Sequence, residues 1–178
     1  MKPLLLAPLL ALSLVSAQTV AASPQPSLSP DAFAARFYRT YLKLKMDGLP
    51  DERQYKVLAP LLSAELQRLF EAAQIEQARA STEHPDEKPP WADGDLFTSL
   101  FEGAQSFRIG RPKLRRGGDY ADVPVRLAYR GRRGRMVRWE DTLVLVRTPE
   151  GWRVWDIKLN GDWQFKNGAS LRAVLRAE

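Results

Sequence analysis

The spacing of apolar positions changes period once along the chain. Phe33, Phe37, Tyr41 and Leu44 recur at helical spacing behind Ser29-Pro30-Asp31, which reads as an N-cap, an N1 proline and a first-turn acid. Asp47-Gly48-Leu49-Pro50 ends that helix. Leu62, Leu66, Leu69 and Ala73 form a second stripe, which predicts a helix from about Ser63 to Arg79 with Ser63 as its N-cap. From Ser106 the period becomes two. Val123, Val125, Leu127 and Tyr129 alternate with Pro124, Arg126, Ala128 and Arg130, and Val137, Trp139, Leu143 and Leu145 continue an inward face on the next strand. Thr148-Pro149-Glu150-Gly151 is a tight turn, after which Trp152 and Val154 extend the same face. "SLRAVLRA", beginning at Ser170, reads as a last short helix. The pattern predicts an α+β fold: N-terminal helices packed on an antiparallel sheet of about four strands, with a short C-terminal helix.

Between the helical and strand regions lies "STEHPDEKPPWADGDLF", residues 81 to 97, a polar and proline-interrupted loop that is long for a compact domain. It reads as a surface excursion pinned by Trp91 and Phe97, or as a functional loop.

Pairing Tyr129 with Val137 matches apolar to apolar and sets Arg126 opposite Glu140 on the outer face. Gly131 to Arg135 is then the hairpin loop. Arg132, Arg133 and Arg135 occupy its tip, while Arg126, Arg130 and Arg138 line the outer face of its strands. Charged tips and faces protect sheets against edge pairing. Nucleic-acid binding would call for aromatic residues interleaved on that face, and none is predicted there, so a solvated or partner-facing hairpin is the better reading.

Charge sharpens this picture. Residues 23–107 carry 9 lysines and arginines against 13 acids, and residues 108–178 carry 17 against 8. The basic strand half either complements the acidic helical half or presents a face to an acidic partner. The N-terminus has one early cation, Lys2, then an apolar run from Pro3 to Val15 and small residues, as in a secretory signal too short for a stable membrane span. Cleavage is expected after Ala17 or Ala22. The organisation is thus a signal peptide over residues 1–22, a Pro/Ser-rich tether over 23–29 and one α+β domain over 30–178, with a periplasmic or secreted destination. The chain has no cysteine, which excludes disulfides, thiol catalysis and zinc–cysteine sites.

Catalytic chemistry is sparse. The one histidine, His84, lies in the polar loop, and a lone histidine supplies neither a metal cluster nor a Cys-His pair. A serine triad through it has no strand-turn-helix nucleophile motif behind it. No cofactor is expected. With Arg147 opposite Trp152, a regular ladder pairs Leu143 with Asp156 and Asp141 with Lys158, so that Asp141, Asp156 and Lys158 all project from the inner face. A carboxylate there must be paired, hydrogen-bonded or available for acid-base work. The favoured reading is a structural Asp141–Lys158 ion pair, with Asp156 bonded to a helix or loop group. The same ladder puts Val144, Val146, Trp155, Ile157 and Leu159 on the outer face as an apolar strip. Trp155 and Ile157 then need cover, from the C-terminal segment with Trp163 and Phe165 or from a second copy of the chain.

The ordered set "FYRTYL" (37–42), "LLSAELQRL" (61–69), "GDLFTS" (94–99), "WEDTLVLVRTPEGWRVWDIKL" (139–159) and "SLRAVL" (170–175) resembles domain-of-unknown-function family 3828, small exported bacterial proteins that include immunity proteins against type VI secretion amidase effectors. Family members often carry a proline between the Asp and Phe of the "GDLF" motif, where this chain has Leu96. The hairpin "LVLVRTPEGWRVWDI" is also similar to that of nuclear-transport-factor-2-like cone folds, which host both enzymes and binding modules, and this resemblance implies that the sheet is curved and cone-like, capped by the helices. The resemblance implies a non-enzymatic exported binding protein whose partner is a protein effector, and it carries over no catalytic residues. The alternative is a small-molecule binder or enzyme using the cone, with Asp141 or Asp156 as acid or base and walls of Tyr129, Trp139 and Trp152. That alternative fails if Phe37, Tyr41 and Leu66 fill the inner face.

Overall fold

The computed structural model describes residues 28–132, 134–163 and 169–176. The segment read as a signal, most of the tether, Arg133 and Phe165 lie outside the described residues.

Helix α1 runs from Pro30 to Leu44, with the proline in its first turn and Lys45 in the left-handed region at its end. The 3.6-residue period brings Phe33, Ala34, Phe37, Tyr38 and Tyr41 to one buried face. A short helix that the apolar stripes do not predict, α2 (Glu52–Leu58), follows. Its signal is a capping box: Asp51 Oδ1 accepts from Gln54 N at 2.7 Å, and Gln54 Oε1 accepts from Asp51 N at 2.9 Å. A single 3-10 turn over Ala59–Leu61 then leads to α3 (Ala64–Glu83), capped by Ser63 Oγ, which accepts from Leu66 N at 3.2 Å. The cap is the predicted one, and the helix extends four residues beyond Arg79.

The sheet is antiparallel throughout. Strands β1 (Ser106–Ile109) and β2 (Lys113–Arg115) both pair with β3 (Tyr120–Arg130), which pairs with β4 (Met136–Thr148), which pairs with β5 (Gly151–Lys158). Five strands thus replace the expected four or so. The β3–β4 register sets Tyr129 against Val137 and Arg126 against Glu140, as the alternation predicts.

The β4–β5 register departs from a regular ladder. Arg147 faces Trp152 and Leu145 faces Val154, but Val144 faces Asp156, because β5 carries one extra residue, Trp155, at a bulge. Beyond the bulge every side chain changes face. Leu143 lies opposite Ile157 in the core, and both are fully buried. Leu159 also joins the core, so Ile157 and Leu159 are not part of an outer strip. Lys158 lies opposite Thr142 and is exposed.

The open edge of β5 is covered. Ser63 N donates to Val154 O at 2.8 Å, Leu159 N donates to Ala169 O at 2.9 Å, and Ser170 bridges Lys158 ahead of α4 (Leu171–Val174). These contacts satisfy backbone groups that an edge strand leaves open.

Between the helices and the sheet lies an aromatic cluster of Phe37, Tyr38, Tyr41, Phe70 and Phe97, with Phe70 and Phe97 stacked at 5.6 Å. Leu66 is fully buried beside it. Each such side chain contributes about 1.5–3 kcal/mol by leaving water. The inner face is therefore filled, and the cone that a ligand would need is occupied by the protein's own side chains.

Candidate functional site

The loop read as a polar excursion is two segments in one. Its first part, Ser81 to Lys88, is exposed and contains His84. The second, Gly94 to Leu100, is buried without regular secondary structure. A buried loop needs hydrogen-bond partners from elsewhere, and two carboxylates supply them. Asp95 accepts from Tyr41 Oη at 2.5 Å and from Phe97 N at 2.8 Å. Asp141, fully buried, accepts from Ser99 N at 2.9 Å, Asn160 N at 2.9 Å, Trp139 Nε1 at 3.0 Å and Ser99 Oγ. Ser99 Oγ in turn accepts from Gly161 N at 2.9 Å. Asp141 thus ties the loop, β4 and the segment after β5 together.

This corrects the ion pair expected from a regular ladder. The bulge moves Lys158 away from Asp141, and its Nζ lies 3.4 Å from Asp122 on the outer face. Asp156 is likewise not an inner-face group. Across the bulge it reaches the C-terminal segment, accepting from its neighbour Ile157 N at 2.8 Å and from Arg172 N, in the first turn of α4, at 3.0 Å. All four acceptor positions of Asp141 are used by fixed donors, which gives it a structural role and no free lone pair for substrate.

Two buried phenols flank the network. Burial first, and the neighbouring Asp95 carboxylate second, push Tyr41 well above the usual tyrosine range. Burial first also raises Tyr38, whose hydroxyl has no hydrogen-bond partner among the described residues.

Trp155 stays on the outer face, half-buried. The Arg172 guanidinium stacks over it at 4.3 Å and Tyr120 meets it edge-on at 5.8 Å. Its cover therefore comes from the C-terminal segment. Trp163 packs edge-on against Trp139, an inner-face residue, and so does not cover the outer strip.

The arginines are the remaining chemistry. Arg132 and Arg135 are exposed at the hairpin tip, which Gly131 N closes on Arg135 O at 3.0 Å, and neither makes an ion pair among the described residues. Behind the tip, the open face of β1, β3 and β4 forms a groove of about 700 Å³ lined by Arg108, Arg126, Arg138, Glu140, Met136 and Ala128, among others. Residues 108–138 hold 11 basic side chains and two acids, Asp119 and Asp122. The sequence pattern put Arg126 and Arg138 on this face but did not identify Arg108 or Met136 as part of a site. Phe107 and Ile109 alternate with Ser106 and Arg108, and this parity is the signal that places Arg108 beside Arg126 once β1 pairs with β3.

No family model matches the sequence, and no curated protein matches it. Among solved structures, the type VI native effector–immunity complex Tae3–Tai3 from Ralstonia pickettii contains a chain 19% identical to this one, with a TM-score of 0.40 over 76% of this chain and 98% of that chain. That likeness is too distant to argue from.

Proposed function

We propose that the chain is an exported, non-enzymatic protein that binds a protein partner through the open face of its sheet, and that the partner is a peptidoglycan amidase which it inhibits as an immunity protein. One observation carries the binding part of this reading. The interior is filled and its Asp95 and Asp141 carboxylates are engaged in hydrogen bonds, whereas the exposed face of β1, β3 and β4 concentrates guanidinium groups around a recess, of which Arg108 and Arg138 make no ion pair among the described residues. Buried, satisfied groups hold the fold; a concentrated field of one sign on an open face steers and orients an oppositely charged partner. The amidase and the exported setting are supported by the ordered sequence motifs of "FYRTYL" through "SLRAVL" and by the Lys2-to-Ala22 leader pattern.

The test is an enzymatic one. The protein, purified from the periplasm of its expression host, is added to the amidase encoded nearest its gene, with peptidoglycan as substrate. Stoichiometric inhibition and co-elution are expected. Undiminished hydrolysis at a molar excess, with no co-elution, refutes the reading.

A further inference from the structure

The recess on the open face follows from side-chain length along successive cross-strand rows. In the row Ser106, Ala128, Arg138, two small residues lie side by side and leave a depression. The next row, Arg108, Arg126, Glu140, stands up as one wall, and Met136, opposite Arg130, stands up as the other. The register also sets Arg108 directly across from Arg126, a like-charge pair that destabilises the sheet. One acid answers the three guanidinium groups of the recess: Glu140 lies 3.2 Å from Arg126. Arg108 and Arg138 make no ion pair among the described residues.

We infer that this groove takes an acidic segment of a protein partner, with carboxylates seated on Arg108 and Arg138 and the segment's backbone over Ala128 against the Met136 thioether. The inference rests on the partner-binding reading above and names the chemistry of the partner's contact. Guanidinium forks match carboxylates in two-point geometry, which favours them over ammonium groups for this task. A carboxylate also removes the cost of the Arg108–Arg126 juxtaposition, so the free protein carries a strain that binding relieves. The recess is concave, and its small floor residues with a thioether wall admit an extended chain. A flat bilayer surface would reach the rim arginines but not the floor.

The experiment uses methyl-labelled methionine NMR on the protein purified from the periplasm, with a short oligoglutamate peptide as probe. Met136 reports on the groove, and Met46, packed against the core near the end of α1, is the internal control. The peptide is expected to move the Met136 signal, saturably and in a salt-dependent manner, and to leave Met46 in place. Arg108→Gln with Arg138→Gln should weaken the peptide by ~10-fold or more, since hydrogen bonds to charged groups are lost. The same change should leave the thermal midpoint unchanged or raised, a readout that a merely structural role would move downward. Arg132→Ser with Arg135→Ser should keep Met136 responsive. The inference is overturned if Met136 does not move, if the tip variant loses the peptide as completely as the groove variant, or if anionic phospholipid vesicles shift Met136 where the peptide fails. Amidase inhibition is scored separately. A groove variant that inhibits as well as the wild type removes the groove and leaves the amidase reading standing, whereas a responsive Met136 in a protein that inhibits no amidase does the reverse.

Discussion

Replacing Asp141 by Asn tests the claim that this carboxylate holds the fold. The side chain is fully buried and accepts four hydrogen bonds, two on each oxygen: Ser99 Oγ and Asn160 N on Oδ1, Ser99 N and Trp139 Nε1 on Oδ2. An amide keeps the shape but offers one acceptor oxygen and one NH2 group, so two donors are left facing a donor. Each buried donor left unsatisfied costs about 1–3 kcal/mol, which puts Asp141→Asn at about 2–6 kcal/mol. That is a large share of the ~5–15 kcal/mol stability of an ordinary domain. At about 2–4 °C per kcal/mol for a domain of this size, the midpoint should fall by roughly 4–24 °C. Urea unfolding followed by tryptophan fluorescence is suited to the measurement, because Trp139 donates to Asp141 and will report the loss locally. Asp156→Asn is the control. Asp156 accepts two backbone donors through one oxygen, which an Asn oxygen can keep, so its cost should be about 1 kcal/mol or less. If Asp141→Asn lies within about 0.5 kcal/mol of wild type, in the range of an ordinary surface change, the hub argument is wrong.

Three further outcomes follow from the same geometry. The folded-state pKa of Tyr41 is raised above its unfolded value, so its stabilisation is complete below about pH 10 and is lost progressively as pH rises above that toward the higher folded-state value; Tyr38 acts in the same direction. Circular dichroism against pH should show alkaline unfolding that is shallower in Tyr41→Phe, and a Tyr41→Phe profile that superimposes on the wild type contradicts this. Gly48 has φ +74°, and an added Cβ would sit 2.3 Å from Trp91 O, so Gly48→Ala should cost more than ~2 kcal/mol; a thermal midpoint equal to wild type rejects that steric account. Replacing Arg132, Arg133 and Arg135 together by Ser should change stability by less than about 0.5 kcal/mol while slowing association with an acidic partner at low salt. A marked drop in stability would show that the tip contributes to the fold.

What the sequence alone determined is local. The face of α1, the Ser63 cap of α3 and the β3–β4 register are settled by side-chain period, caps and pairing of near neighbours, and these need no knowledge of distant segments. The capping box at Asp51 and Gln54 was equally local and readable, although the short α2 has too few apolar positions to announce itself. Tertiary structure decided the rest. The bulge at Trp155 reassigns every later side chain of β5, and its reasons lie off the strand: Leu62 and Ser63 seize the backbone at Val154, and Asp156 accepts from Arg172 N in the first turn of α4. The burial of Gly94 to Leu100 runs against its lack of regular structure, and depends on bonds between residues 42 apart, Ser99 with Asp141, and 54 apart, Tyr41 with Asp95. The groove likewise exists only because β1 returns beside β3 and brings Ser106 next to Ala128 and Arg108 next to Arg126. Period and propensity act over a few residues, whereas a shared hydrogen-bond acceptor or a cross-strand neighbour is fixed by the packing of the whole chain.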